Sequence, residues 1–312
     1  MLFYSFKNLV KRSPFLKDLY YRQWLLFRRL LYALSPELLA KYRYYTMRGR
    51  TLNLKNPTCF TEKLLWLMLY WDNPLKTTCA DKYAVRSYVK QLGLEHMLPT
   101  MLAVYENATD INFDVLPDRF VLKCTHGSKM NYICRSKSTL DKANVISVLN
   151  SFLKKDISMV SGEKHYSLIP PRIICEAFLN TSSNALPIDY KLYCFSGKAH
   201  CTLVCIGRND DGHGASYYYY NREWTCALPY NIHSINNDDI IPKPYSYDDI
   251  LHAAELLSKP FPFVRIDFYD IDGLAVFGEM TFTPDGCIDT ELTDIAEKEL
   301  GEMLLLPRAN AC

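Results

Sequence analysis

Residues 263–282, FVRIDFYDIDGLAVFGEMTF, decide the fold because they predict a β-hairpin with charged side chains on one face. Two apolar runs, 263–270 and 274–282, have the length and composition of strands. The dipeptide Asp272-Gly273 between them is typical of a tight hairpin turn. The end of the chain therefore contributes a pair of antiparallel strands.

The hairpin also predicts a site. Side chains alternate along a strand, so Arg265 and Asp267 share one face, and Glu279 and Thr281 share a face of the second strand. We expect all four to point to one place. Two carboxylates on paired strands suit Mg²⁺, with phosphates and water completing its coordination. The alternative is a solvated face, but the residues between them are so apolar that both faces look buried, and buried carboxylates require a partner.

The rest of the chain alternates between short strands and helices. Antiparallel hairpins mixed with helices are typical of an α+β fold, not of a doubly wound parallel sheet. Four consecutive tyrosines, 217–220, fit either a sugar-stacking loop or an ordinary strand with one wet face. The other predicted strands are 119–124, 132–134, 172–178, 189–195 and 199–206. The predicted helices are 15–45, 60–71, 80–92, 139–154, 247–258 and 290–304.

Composition limits the class of protein. The chain has 312 residues, 49% of them hydrophobic, which is enough for one large or two modest domains. Its 11 cysteines are scattered singly, with no CxxC pair, which indicates reduced thiols of a cytosolic protein. No apolar stretch approaches the roughly 20 residues of a spanning helix, and no secretory signal is recognisable. We therefore expect a cytoplasmic protein, with no nucleic-acid partner.

The N-terminal segment differs from the rest in charge. Residues 1–50 hold eleven Lys or Arg and two acids, whereas the whole chain has a net charge of only +2. The predicted helix 15–45 is basic and amphipathic. Such a helix can lie on an anionic membrane surface, which gives a possible peripheral membrane contact through residues 1–32. The alternative is that it packs on the body of the protein and shows its charges to water.

A second candidate site follows Lys123, which ends an apolar strand. The loop 125–131 combines hydroxyls, one glycine and backbone N–H groups, and it could hold a phosphate. It is not a P-loop, because the chain contains no G-x-x-x-x-G-K-[ST]. Asp81-Lys82 stand at the start of a predicted helix, and Glu176 ends a strand.

Five stretches occur in order along the chain: FTEKLLWL (60–67), DKYAVRSYV (81–89), FVLKCTHGS (120–128), DYKLYCFSGK (189–198) and the hairpin. In this order they resemble the ATP-grasp superfamily, in which two α+β subdomains clamp ATP. More specifically, the chain resembles the TupA-like ATP-grasp family, associated with teichuronopeptide and other surface-polysaccharide biosynthesis. The resemblance covers roughly residues 36–305, and the N-terminal helix falls outside it. We expect a helical, basic N-terminal segment 1–75, and the resemblance implies a small subdomain 76–175 with the phosphate loop and a C-terminal subdomain 176–312 with the metal site.

The resemblance implies ATP and Mg²⁺ as cofactors and assigns roles to individual residues. The ATP-binding residues would be Lys82, Lys123, His126, Gly127, Ser128, Glu176, Ala177, Phe178 and Asp189. The metal ligands would be Asp267, Glu279 and Thr281. The catalytic cations would be Arg265, Lys191 and Arg208.

Two departures from the family pattern matter. Thr281 stands where many members of the superfamily carry Asn as the third metal ligand. Lys129 and Met130 stand in the phosphate loop where glycines would be more usual.

The function implied is an ATP-dependent carboxylate–amine ligase that works through an acyl phosphate, with a carboxylate and an amine as substrates. These would be sugar-linked compounds of capsule, O-antigen or teichuronic-type polymers. Three alternatives remain open. A phosphotransferase would use the same ATP site with a hydroxyl acceptor. A glycosyltransferase is suggested by the D-x-D string at Asp270-Ile271-Asp272, although this string lies at a hairpin tip. A binding module with a decayed ATP site is suggested by Thr281.

Overall fold

The N-terminal part of the chain is helical. A computed structural model describes residues 14–181, 185–209, 214–233 and 241–307. It begins with helices α1 (Pro14–Leu34), α2 (Pro36–Arg48) and α3 (Phe60–Tyr70). The single helix predicted over 15–45 is wrong, because Ser35 is extended (φ −167°) and its side chain caps α2 by accepting from the Glu37 N–H. A proline that follows Ser35 is favoured at the first helical position.

Two short helices follow, α4 (Pro74–Ala80) and α5 (Val85–Gln91). The predicted helix 80–92 is therefore wrong over its first turn. Asp81 is extended (ψ 115°), and its carboxylate accepts from the Tyr83 N–H at 2.8 Å. As a consequence, Lys82 lies in a turn between two helices and not at a helix start.

The first sheet has four antiparallel strands in the order β1-β4-β2-β3. Helix α6 (Lys142–Leu153) packs on it through Val145 and Leu149, against Leu122 of the sheet. Strand β1 was not predicted from the sequence. Its exposed positions are the apolar Leu102 and Val104, so the sequence shows no alternation of polar and apolar residues, and no turn dipeptide marks the ends of the strand. The strands are β1 (Met101–Tyr105), β2 (Phe120–Cys124), β3 (Asn131–Cys134) and β4 (Ile173–Ala177), with the short helices α7 (Ser158–Ser161) and α8 (Lys164–Ser167) preceding β4.

The second sheet has six antiparallel strands in the order β10-β9-β5-β6-β7-β8. Its strands are β5 (Asp189–Phe195), β6 (Lys198–Ile206), β7 (Ser216–Asn221), β8 (Ala227–Leu228), β9 (Phe263–Ile271) and β10 (Leu274–Thr281). Helix α9 (Tyr247–Ser258) joins β8 to β9, and α10 (Asp294–Met303) is the last helix described.

Both faces of the second sheet are buried, which explains why its strands are almost continuously apolar. One face, with Leu192, packs on α9 and on the helices α4 and α5. The other face, with Tyr193, packs on α3 and α10. Tyr219 and Tyr220 point into these two opposite cores. Of the two predicted alternatives the four tyrosines therefore form a strand, but one without a solvent-exposed face.

The predicted α+β fold is confirmed. The predicted strands 119–124, 172–178 and 189–195 agree with β2, β4 and β5 to within one residue at each end. Helices α6 and α10 start later than predicted, where Asp141 and Thr293 cap them with their side chains. The division of the chain at residues 75 and 175 stays a prediction.

Two further findings bear on the predicted class. No helix of the described residues is both long and apolar enough to cross a membrane. The ten cysteines within the described ranges are free thiols, and Cys226 is the exposed one among them.

Candidate functional site

The hairpin β9–β10 contains a bulge that aligns its charged residues. Phe277 pairs with Phe268, but the next pair is Glu279 with Asp267, so Gly278 is an extra residue in β10. A bulge reverses the facing of every residue after it. Glu279 therefore shares a face with Asp267 instead of pointing into the core with Phe277.

The four predicted hairpin side chains meet on this face. Arg265 donates to both carboxylate oxygens of Asp267, each at 2.8 Å. The Thr281 hydroxyl donates to Glu279 Oε1 at 3.2 Å and lies 3.3 Å from Arg265 Nη2. Asp267, Arg265 and Thr281 are buried, while Glu279 is partly exposed.

The neighbouring strand β5 adds the next two predicted residues. Lys191 pairs with Asp267 in register, and its Nζ lies 2.6 Å from Asp267 Oδ2 and 3.0 Å from Asp189 Oδ2. Arg208, after β6, lies 3.0 Å from the same oxygen of Asp189. The second oxygen of Asp189, Oδ1, is buried and has no hydrogen-bond partner within the described residues.

Lys82 joins this cluster to the first sheet. Its Nζ donates to the Gly127 carbonyl at 2.8 Å and lies 3.3 Å from Glu279 Oε2. Gly127 belongs to the loop between β2 and β3, and a Cβ there would lie 2.4 Å from Met130 Cε. A side chain at residue 127 would therefore require the flexible end of Met130 to move.

Lys123 and Glu176 form a second ion pair beside the first cluster. Lys123 Nζ lies 2.6 Å from Glu176 Oε2, and Arg86 Nη1 lies 3.4 Å from Glu176 Oε1. Sequence reasoning missed Arg86, although it stands in the quoted motif DKYAVRSYV four residues after Lys82. A small cleft between the two sheets is lined by Lys82, Arg86, Pro99, Lys123, Ile174, Glu176, Phe277 and Gly278.

Ser128 and His126, two predicted ATP-binding residues of the loop 125–131, have different environments. Ser128 is exposed at the loop tip. His126 is buried beneath the end of α6. Burial lowers the pKa of its imidazole, and the carbonyls of Phe152 and Lys155 partly oppose this. The His126 side chain is thus turned toward α6 and is not among the groups that line the cleft.

The two residues after Glu176 are also committed elsewhere. The Ala177 N–H donates to the Thr100 carbonyl at 2.9 Å, so it is not free to bind a base. The Phe178 ring lies under the guanidinium of Arg119, 4.1 Å from its centroid. The predicted ATP contact of Ala177 would therefore have to be made by a group other than its N–H.

The charges of the cluster favour the ionised forms of Glu279, Lys191 and Arg265. Burial by itself raises the pKa of Glu279, but Lys82, Arg265 and Lys191 outweigh it and hold that pKa well below the usual range. Burial likewise opposes the charge of Lys191, yet Asp189 and Asp267 raise the pKa of its ammonium. Asp267 has the same effect on Arg265, whose pKa is raised.

The balance of charge favours a polyanion. Six cationic side chains line or adjoin the cleft, against four carboxylates, which leaves a net charge of +2. The cations are Lys82, Arg86, Lys123, Lys191, Arg208 and Arg265, and the carboxylates are Glu176, Asp189, Asp267 and Glu279. A cationic site with buried walls attracts phosphates strongly, because the local dielectric constant is low.

The donor set also fits Mg²⁺. In the described part of the chain no three His, Cys, Asp or Glu side chains cluster as a metal site. The hairpin instead offers two carboxylates and one hydroxyl, from Asp267, Glu279 and Thr281. Magnesium is commonly held by one or two carboxylates together with substrate phosphates and water. These residues therefore suit an ion that arrives with a nucleotide better than one held by protein alone.

The fold and this cleft between two antiparallel sheets are those of an ATP-grasp protein. The profile of the TupA-like ATPgrasp family matches residues 62–305, and the chain belongs to that family. The resemblance found in the sequence is thereby confirmed. No curated protein matches the chain.

Several solved structures are similar to this chain in fold. D-alanine–D-alanine ligase from Bacillus anthracis complexed with ATP has a TM-score of 0.43 and 15% identity over 73% of this chain and 65% of that one. The same enzyme from Helicobacter pylori has a TM-score of 0.40 and 14% identity over 73% and 61%. The ADP complex of PurK, N5-carboxyaminoimidazole ribonucleotide synthetase, has a TM-score of 0.41 and 13% identity over 66% and 45%. The chain spans less than two thirds of the length of each, and the likeness is one of fold alone.

Proposed function

We propose that this chain is an ATP-dependent carboxylate–amine ligase that works through an acyl phosphate. The observation that supports this best is the clustering of Asp267, Glu279 and Arg265 with Lys82 beside the loop 125–131. This arrangement offers a carboxylate pair for a metal, cations for phosphates and a loop for the nucleotide at one junction of two sheets. Membership of an ATP-grasp family supports the same conclusion.

In this proposal the nucleotide lies in the cleft between the sheets. Lys82 and Lys123 contact the phosphates as point charges. The unpaired Oδ1 of Asp189 accepts from a ribose hydroxyl, which would satisfy a buried acceptor that otherwise costs free energy. Asp267, Glu279 and the Thr281 hydroxyl would hold Mg²⁺, which would supply positive charge to neutralise the phosphates.

The proposed reaction has two steps. First, an oxygen of the substrate carboxylate attacks the γ-phosphorus, the bond to the bridging oxygen breaks, and ADP leaves with the electron pair. Second, the amine nitrogen attacks the acyl carbon, the bond from that carbon to the phosphate oxygen breaks, and inorganic phosphate leaves while the nitrogen loses a proton. Arg265 would stabilise the negative charge of both transition states. Lys191 and Arg208 would hold the γ-phosphate or the acceptor carboxylate.

We further propose that the substrates are sugar-linked, such as a uronic acid joined to an amino acid in surface-polysaccharide synthesis. This part rests on the family resemblance. Screening should therefore begin with uronic acids and amino acids as pairs.

The ligase proposal is tested by product analysis. With a productive substrate pair, ATP should yield ADP, phosphate and an amide in equal amounts. With the carboxylate alone, ATP labelled with ¹⁸O in the β,γ-bridge should scramble its label, because a reversible acyl phosphate forms. Asp267→Asn and Glu279→Gln should each lower turnover by about a hundredfold or more. The control Asp248→Asn alters an exposed carboxylate in α9 and should leave turnover unchanged.

Two results would contradict the proposal. A phosphorylated hydroxyl product without amide would establish the phosphotransferase alternative. Binding of a nucleotide-sugar without ATP binding would establish the glycosyltransferase alternative. The structure disfavours the latter, because both oxygens of Asp270 are already used, accepting from Ser246 at 2.7 Å and from the Gly273 N–H at 2.9 Å.

A further inference from the structure

Helix α1 presents an apolar stripe that nothing in the described structure covers. Leu19, Leu26, Leu30 and Leu34 follow one another at intervals of seven, four and four residues, which places them on one side of the helix. Leu26, Leu30 and Leu34 are 59%, 55% and 75% exposed. Scattered exposed leucines are ordinary, but Leu26, Leu30 and Leu34 stand on successive turns, and such a row usually marks an interaction surface.

The opposite side of α1 is occupied by the body of the protein. Arg28 is buried there, with its guanidinium 4.4 Å from the centroid of the Trp24 ring. Burial, with Arg43 adding to it, lowers the pKa of Arg28 to about 10. Beside the stripe, Phe27 makes an edge contact with Tyr42 of α2, with 5.2 Å between ring centroids. The leucine stripe therefore points outward from an anchored helix.

Positive charge borders the stripe. Arg22 and Arg29, one heptad apart, lie along the same edge of it and are exposed. The acid nearby is Asp18, and it is already paired with Arg22 at 2.8 Å. Tyr20, which is exposed near the other edge, belongs to the residue types that prefer the boundary between lipid and water.

From this combination we infer that α1 binds the surface of a membrane that contains anionic lipids. An apolar face that enters the acyl boundary, with cations reaching the headgroups, is the pattern of interfacial helices. A second copy of the chain is a less suitable occupant. A symmetric pair of α1 helices would bring two copies of the same positive edge together, and like charges oppose association.

The inference is independent of the proposed catalytic function, and vesicle co-sedimentation of the full chain tests it. Vesicles of equal parts phosphatidylcholine and phosphatidylglycerol should bind the protein at least about tenfold more tightly than vesicles of phosphatidylcholine alone. High salt should weaken this binding, because it screens the cations.

Paired variants identify the surface. Leu26→Ser with Leu30→Ser should weaken vesicle binding at least about tenfold, and Arg22→Gln with Arg29→Gln should remove the preference for the anionic lipid. The matched control is Leu168→Ser with Leu305→Ser, which alters leucines 56% and 73% exposed elsewhere and should change nothing. Thermal midpoints and ATP affinities of all variants, compared with the unaltered chain, show that the fold and the cleft are intact.

The inference fails if the full chain does not bind the mixed vesicles, or if Leu26→Ser with Leu30→Ser binds as well as the control. It also fails if sedimentation velocity shows a dimer that these two substitutions dissociate while vesicles bind no protein. In that case the stripe is a contact between copies of the chain.

Discussion

The two carboxylates proposed for the metal are held by cations proposed for the phosphates. Lys191 and Arg265 contact Asp267, and Lys82 contacts Glu279. If ATP and Mg²⁺ bind as proposed, the cations would exchange these carboxylates for the phosphates, and the carboxylates would become available to hold the metal. Neither ligand completes this exchange alone, so the two should bind cooperatively.

Glu279→Gln tests this coupling. The variant removes one negative charge from the cleft, so ATP without Mg²⁺ should bind more tightly than it binds the unaltered chain. ATP with Mg²⁺ should bind more weakly, because a metal ligand is lost. The ratio of the ATP affinity with Mg²⁺ to the ATP affinity without Mg²⁺ should fall by about tenfold or more. Calorimetric titrations with ATP, in excess Mg²⁺ or in a chelator, measure it.

The matched control for Glu279→Gln is Glu255→Gln. Glu255 is also partly exposed and also paired with an arginine, Arg222 at 2.9 Å, but it lies on α9 outside the cleft. Its loss should leave the ratio unchanged. An equal change in both variants would mean that net charge alone, and not the ion pair with Lys82, governs nucleotide binding.

At the level of elements, the bulge at Gly278 shows how much of the hairpin geometry can be predicted from the sequence. With the tight turn at Asp272-Gly273 and unbroken pairing, Glu279 would lie opposite Ile266 and point into the core. The predicted convergence with Asp267 is correct because the bulge shifts the register by one residue. The signal was available, since an isolated glycine inside a strand often marks a bulge.

Other parts of the site could not be predicted from local patterns. The turn at Asp81, which places Lys82 over the loop 125–131, depends on a side-chain cap that competes with helix propensity. The burial of His126 depends on the packing of α6 against the first sheet, and no feature of the loop itself indicates it. Residue types predicted the chemistry of the cleft, whereas these orientations come from tertiary contacts.

Gly278→Ala should damage the hairpin. A Cβ at this position would lie 2.8 Å from the carbonyl oxygen of Asp267, a backbone atom that cannot move freely. The free energy of unfolding should fall by about 1 to 3 kcal/mol in urea titrations. ATP binding with Mg²⁺ should weaken as well, because Glu279 and Asp267 move apart.

Leu274→Ala is the control for this substitution, since Leu274 begins the same strand and is exposed. It should leave both stability and nucleotide binding nearly unchanged. If Gly278→Ala bound ATP and Mg²⁺ normally, the bulge would not be what positions the carboxylates.

At the level of the whole molecule, helix α2 is built into the body although it precedes the family match at 62–305. Arg43 donates to the carbonyls of Ser161 and Gly286, the latter at 2.9 Å. Arg48 donates to the Asp289 carbonyl at 2.7 Å and pairs with Glu297. These contacts hold the segment after the hairpin, where Gly286 has a left-handed backbone (φ +60°).

Truncations should separate the two N-terminal helices. Removing residues 1–34 deletes α1 and should change the free energy of unfolding by at most about 1 to 2 kcal/mol, because Ser35 still caps α2. Removing residues 1–50 leaves several buried carbonyls and Glu297 without their charged donors. At about 1 to 3 kcal/mol for each, this loss should exceed about 4 kcal/mol. Urea unfolding measures both, and equal stability of the two truncations would show that α2 is dispensable.

The contact of Lys82 with both Gly127 and Glu279 has a consequence for the rate of nucleotide entry. The ammonium group of Lys82 links the loop 125–131 of the first sheet to the hairpin of the second. Nucleotide that binds as proposed can enter only after Lys82 has released one of these two contacts. Its observed rate of association should therefore level off at high nucleotide concentration, at the rate of opening, instead of rising in proportion to concentration.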